Sequence, residues 1–145
     1  MEQSRPARIL LIEDNEGDAF LLGMALDGAH FPHTLTTIRD GEEALAFLCQ
    51  VDASSSSFPD LIFLDLNLPH VDGATLIDFL RTRELLQDVP VVLLSSSRSP
   101  KDAARVAELR KSTFMIKPSD LDAFLDLGNQ AREFLERCRE SHSDR

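Results

Sequence analysis

Four charged side chains stand at the ends of short apolar runs, and their types define a chemistry. Glu13 and Asp14 follow the run Arg8-Ile9-Leu10-Leu11-Ile12. Asp65 follows Leu61-Ile62-Phe63-Leu64, and Lys117, with Pro118 behind it, follows Phe114-Met115-Ile116. A short, continuous apolar run reads as a strand buried on both faces, as in a parallel sheet. In an open parallel α/β sheet, ligands bind in the crevice outside the carboxyl ends of the strands. The runs that end in charge therefore bring three carboxylates against one ammonium. Carboxylates crowded in this way repel one another unless a cation sits among them. A hard divalent ion, Mg²⁺ or an alternative such as Mn²⁺ or Ca²⁺, takes oxygen ligands of this kind. The pocket thus suits a divalent metal and an anionic substrate. Taken singly, each residue has a blander reading: an acidic helix cap, a turn-forming aspartate, a loop lysine.

The elements that must position these groups alternate along the chain. Asn15 can cap a helix that carries Phe20, Leu21, Met24, Ala25 and Ala29 on one side. Thr34 to Ile38 alternates and is rich in β-branched residues, as an edge strand would be. Asp40-Gly41 opens a helix from Glu42 to Gln50 with Ala44, Leu45, Phe47 and Leu48 as its apolar set. Ser54 to Ser57 is a polar loop, and Asn67 to Gly73 is a loop rich in turn residues. A helix from about Ala74 to Leu86 follows, burying Leu76, Ile77, Phe79 and Leu80. Val91 to Leu94 is a fourth buried strand that ends at Ser95-Ser96-Ser97. Ser99-Pro100 pairs a cap with proline at the first helical position, opening a helix to about Arg110. The last helix runs from about Leu121 to Arg139. The pattern is an α/β (βα)₅ doubly wound parallel sheet, with the flavodoxin-like strand order 2-1-3-4-5. One domain over residues 8–139 is expected between an N-terminal segment, 1–7, and a C-terminal tail, 140–145.

Composition narrows the partners. The 145 residues are 43 % hydrophobic and 28 % charged, enough for one core in a single domain. A net charge of −10 argues against broad contact with nucleic acid or an anionic membrane. The opening residues lack the apolar core of a secretion signal, and no run is long enough to span a bilayer. A cytoplasmic protein is expected. Cys49 and Cys138 have no metal-ligand spacing and fall on apolar helix faces, which predicts buried free thiols. His30, His33, His70 and His142 fall in loops or the tail, away from the pocket, and are expected to be solvated.

With these residues in order along the chain, it resembles the receiver domain of two-component response regulators over about residues 8–137. The family's acidic pair stands as Glu13 and Asp14, and its phospho-acceptor as Asp65. Its hydroxyl switch is Ser95, its Lys-Pro is Lys117 and Pro118, and its aromatic switch is Phe114. Its loop of Pro, Asp and Gly is Pro69, Asp72 and Gly73. The resemblance implies a response regulator that accepts a phosphoryl group on Asp65 from a histidine kinase. It also implies metal held by Asp14, Asp65 and the backbone carbonyl of Asn67, with Glu13 acting through water. Lys117 and Ser95 would bind phosphoryl oxygens, and the Lys117–Pro118 bond would be cis. The protein would catalyse only its own phosphorylation and dephosphorylation.

Departures from the family refine this expectation. The sequence stops shortly after the last helix, leaving no room for an output domain, so output is expected through contact with a downstream protein. Phe114 replaces the tyrosine often found at the aromatic switch. Ser97, two positions past the hydroxyl switch, is too short to orient a hydrolytic water well, which predicts a long-lived phosphoryl group. The segment from Asn15 to Ala19 is similar to the small regulators paired with bacterial phytochromes, so a bacteriophytochrome is a candidate kinase. Two rivals stand beside this reading. One is a haloacid-dehalogenase-type phosphatase, which needs a second acid where this chain has Asn67. The other is an adaptor that works without phosphorylation. Finally, the apolar arc of the last helix spans about 180°, wider than the ~100° a core-facing helix needs. Leu127 and Phe134, on its margin, are expected to stay uncovered and to form a homodimer interface.

Overall fold

A computed structural model describes residues 5–69, 71, 73–97 and 99–143. Asp72 and His70 lie outside the described residues. Five strands, β1 (Ala7–Ile12), β2 (His33–Ile38), β3 (Leu61–Asp65), β4 (Val91–Ser95) and β5 (Ser112–Ile116), form one sheet in the order β2-β1-β3-β4-β5. Every pairing is parallel, as the expected topology requires. The central strands β3 and β4 are buried at every position, whereas β2 is only partly covered along its length, in keeping with its threonines and its place at the sheet edge. Alternate side chains feed two cores. Ile9, Leu11, Phe63 and Leu94 face one layer of helices, while Leu10, Ile12, Leu64 and Leu93 face the other.

The first layer contains α1 (Glu16–Gly28), α5 (Leu121–Leu125) and α6 (Leu127–Ser143). The second contains α2 (Gly41–Gln50) and α3 (Gly73–Thr82), the latter followed by a short 3₁₀ turn over Glu84–Leu86. Asn15 caps α1 by accepting from the Asp18 amide, and Asp40 caps α2 by accepting from the Glu42 amide. The residues buried by α1 are Leu22, Ala25 and Leu26. Phe20 and Met24, expected inside, are exposed, because the stripe one turn apart through Leu22, Leu26 and Ala29 faces the sheet instead.

The helix expected from Ser99-Pro100 to Arg110 is much shorter. Ser99 caps it and Pro100 opens it, but α4 covers only Pro100–Ala103 before tightening into a 3₁₀ turn over Ala104–Glu108. Neither piece has a buried side chain, and a helix without an apolar face to dock is marginal. The last helix is divided at Asp126, although the amide of Gln130 still donates to the Asp126 carbonyl.

Leu127 and Phe134 correct the expectation of a free margin: they are 3 % and 7 % exposed and belong to the core. The cause is Gly128. A Cβ there would lie 2.0 Å from the carbonyl oxygen of Ala25, so only glycine lets α6 approach the α1 backbone this closely. Arg132 then donates to the Ala29 carbonyl at the end of α1, at 2.8 Å. Helix α1 itself covers the margin. The exposed apolar side chains of this layer are Phe20 and Met24 on α1 and Leu121 at the start of α5.

Two smaller expectations also change. Cys49 is exposed, since α2 buries Gly41, Ala44 and Leu48, and Cys49 lies about 100° round the helix from Leu48. Cys138 is partly covered, and burial raises its thiol pKa. His33 is not in a loop: it begins β2, with its side chain 9 % exposed and its Nδ1 3.0 Å from the Phe31 carbonyl oxygen.

Candidate functional site

The crevice at the carboxyl ends of β1, β3 and β5 brings together Glu13, Asp14, Asp65 and Lys117. One carboxylate oxygen from each of the three acids lies within 4.8 Å of the others. Glu13 and Asp65 are each 2 % exposed, and Asp14 stands nearer solvent. Lys117 Nζ is 2.7 Å from Glu13 Oε1 and 3.3 Å from Asp65 Oδ2. The loop ends are pinned by the same groups. Glu13 Oε2 accepts from the Asn15 amide at 3.1 Å, and Asp65 Oδ1 accepts from the Asn67 amide at 2.9 Å.

The electrostatics record how crowded the acids are. Burial, followed by the neighbouring Asp65, pushes the Glu13 carboxyl up to about 7 despite the opposing effect of Lys117. Burial alone would lower the Lys117 pKa, but hydrogen bonds to Glu13 and Asp18 outweigh it and hold the ammonium charged. Among the described residues one cation, Lys117, stands against this many acids, which leaves them short of positive charge. A divalent ion with oxygen ligands fits that deficit.

The lysine reaches its partners without the expected cis bond. No described peptide bond is cis, so Lys117–Pro118 is trans, the form that X–Pro bonds favour by about 0.5–1 kcal/mol. The Lys117 amide donates to the Ser95 carbonyl at 2.8 Å, which fixes the lysine backbone against β4, while ion pairs to Glu13, Asp18 and Asp65 hold its side chain in the crevice.

Ser95 is fully buried, and its hydroxyl donates to Asp102 Oδ2 on α4 at 3.1 Å. The switch hydroxyl is therefore tied to α4. Ser97 Oγ accepts from the Ser99 amide at 3.0 Å, so that side chain braces its own loop. Phe114 packs against the second core, as Val106 and Leu109 also do, and its strand β5 contacts the 3₁₀ turn that follows α4. Asn67 reaches across to the residue just past β4, where its side-chain oxygen lies 3.4 Å from the Ser96 amide.

One charged member of the crevice was missing from the sequence reading. Asp18, in the first turn of α1, places Oδ2 2.9 Å from Lys117 Nζ. Its signal was available, an acid one turn after the acidic pair, but an acid in the first turn of a helix is ordinary because it suits the helix dipole. Asp102, the partner of Ser95, was hidden for the same reason.

Known proteins resemble this chain over most of its length. Residues 9–127 match the family described as the response regulator receiver domain. The response regulator Rcp1 of Synechocystis is 36% identical over 121 residues, covering 83% of this chain and 82% of that protein. A probable methanogenesis regulatory protein, FilR2 of Methanothrix harundinacea, is 34% identical, covering 94% of this chain and 86% of its own. Among solved structures, the phosphorylated cyanobacterial phytochrome response regulator RcpA superposes with a TM-score of 0.80 at 35% identity, over 90% of this chain and 94% of that one. On the buried acids, the lysine that bridges them and this match over most of its length, the chain belongs to the response regulator receiver domain family.

Proposed function

We propose that this protein is a single-domain response regulator that accepts a phosphoryl group on Asp65 from a sensor histidine kinase. The observation that carries the proposal is the placement of Lys117 Nζ 3.3 Å from Asp65 Oδ2 within the cluster of Glu13, Asp14 and Asp65. An Asp65 carboxylate oxygen attacks phosphorus as the bond from phosphorus to the donor's imidazole nitrogen breaks, and the imidazole leaves with the electron pair. Phosphoryl transfer is chiefly positioning and charge neutralisation. Glu13, Asp14 and Asp65, with the Asn67 carbonyl, would hold Mg²⁺ or Mn²⁺, which neutralises phosphoryl oxygens when bound. Lys117 neutralises another, and Ser95 leaves Asp102 to donate to a third. A structure of Rcp1, at 33% identity, is of its Mn(2+)-bound form, which supports a divalent metal as the cation of this reading.

A phytochrome-type kinase is the proposed donor, supported by the likeness to RcpA and to the bacteriophytochrome response regulators AtBRR and RtBRR, at 32% and 30% identity. Phe20 on α1 and Leu121 at the start of α5 are exposed apolar groups on the helix layer that also carries Asp18, and they suit docking of a donor protein. No helix among the described residues is long and apolar enough to cross a membrane; the cytoplasmic setting of this reading rests on the proposed kinase partner. Turnover of phosphomonoesters is not expected, because Asn67 cannot serve as the general acid such an enzyme needs. The homodimer expected through Leu127 and Phe134 has lost that surface, and sedimentation of the wild type decides whether another face pairs. The central test is Mg²⁺-dependent labelling by a small acyl phosphate. A hydroxylamine-labile phosphoprotein is the expected product, and a protein that takes no label would end the proposal.

A further inference from the structure

The Lys117 ammonium has three carboxylate partners, but they are not equivalent. Glu13 and Asp65 belong to the cluster able to hold a metal, whereas Asp18 does not. Asp18 is also the most solvent-facing of the three, with its side chain 28% exposed against 2% for each of the others. Its backbone is fixed, because its amide donates to the Asn15 cap at 2.9 Å. A cation bound by Glu13 and Asp65 draws their charge away from the lysine. The carboxylate on Asp18 keeps its full attraction. A lysine side chain is long and free to swing, so whatever holds it at that moment decides whether it meets the phosphoryl group.

We propose that Asp18 is a positioning residue that holds the Lys117 ammonium beside Asp65 while metal occupies the neighbouring acids. An ammonium has three donor hydrogens, so one can stay on Asp18 while another reaches a phosphoryl oxygen. Asp18 itself touches neither metal nor phosphorus. The role rests on the proposed phosphoryl acceptance at Asp65 and adds the residue that prepares the lysine for it.

The test compares wild type, Asp18→Ala and Asp18→Asn for the rate of labelling by a small acyl phosphate at saturating Mg²⁺. Mg²⁺ affinity is measured alongside by calorimetry and folding by thermal melting. Misplacing a reacting group by ~1 Å costs up to ~10²-fold, so losing one tether of several should slow the alanine variant by about tenfold. The asparagine variant keeps an oxygen acceptor at the same length but loses the charge, so its rate should fall between those of alanine and wild type. Both should bind Mg²⁺ as wild type does, since Asp18 is no ligand. An alanine variant that labels at the wild-type rate or faster would overturn the role, the faster result marking Asp18 as a competitor for the lysine. So would an asparagine variant as slow as alanine, or a loss of Mg²⁺ affinity in either. A wild type that takes no label at all would instead strike the proposed function, and this role with it.

Discussion

Strand β3 has an aspartate at each end, and the two are treated in opposite ways. Asp60, just before the strand, accepts from the Arg8 amide at 2.7 Å and from both terminal nitrogens of Arg5 at 2.7 and 3.1 Å. Burial pushes its carboxyl up, but the Arg5 guanidinium and the Arg8 amide outweigh this and hold it below the usual range. Asp65, at the far end of the same strand, shares one lysine with Glu13 and Asp18 and sits beside Asp14. One end is matched by charges of the chain itself and serves the fold. The other keeps a surplus of negative charge, which is stabilised when a cation enters. An acid at a strand end becomes a site when the fold withholds its partners.

The sharpest way to break this comparison is Asp65→Asn. The amide has nearly the same shape but cannot form an acyl phosphate, so acceptance should vanish. It also removes one of the crowded charges, so the melting temperature should hold or rise. Labelling by a small phosphodonor and a thermal melt check both halves. A variant that labels at the wild-type rate would mean that the two ends do not differ in chemistry.

The pH dependence of stability separates the ends next. Because the folded-state pKa of Glu13 is raised, the native protein binds that proton more tightly than the unfolded chain does. Without metal, stability should therefore fall as pH rises from about 4.3, the unfolded value, to about 7, and level off above. Glu13→Gln should flatten that limb. Mg²⁺ at a hundredfold excess over its Kd should add about 2.7 kcal/mol at neutral pH. Denaturant melts across this range, with and without Mg²⁺, measure both. A metal-free protein that grows more stable through the window would count against the crowding of the crevice.

The contrast was half legible in the sequence. Buried apolar runs declare their strands, and the strand order then carries Glu13, Asp14, Asp65 and Lys117 to one end, although they are far apart along the chain. Each needed only its place at a strand terminus. Asp18 and Asp102 sit on helices, where an exposed acid is commonplace, and only their contacts in space single them out. The same limit explains the last helix. Its wide apolar arc is real, but Gly128 admits α1 so closely that Leu127 and Phe134 are covered, and no periodicity within one helix reports how near its neighbour comes. Helix α4 failed in the other direction, since good capping residues could not replace a buried face.

The smallest effect belongs to Asp60. Its folded pKa is depressed, so it contributes stability that is present above its unfolded value, about 3.9, and is lost as pH falls through the folded one. Arg5 is 53% exposed, and an ion pair so open to solvent is worth little. The amide of Arg8 is part-buried and would keep only a weaker acceptor after Asp60→Asn. The variant should therefore lose about 1 kcal/mol at neutral pH and show a shallower loss of stability in acid. Its acceptance of phosphoryl groups should be unchanged, because Asp60 lies at the opposite end of β3 from the crevice. Urea melts at neutral and acid pH, paired with the labelling assay, test both statements together. If Asp60→Asn impaired labelling as well as stability, the two ends of the strand would be coupled, and the division between a structural and a chemical aspartate would fail.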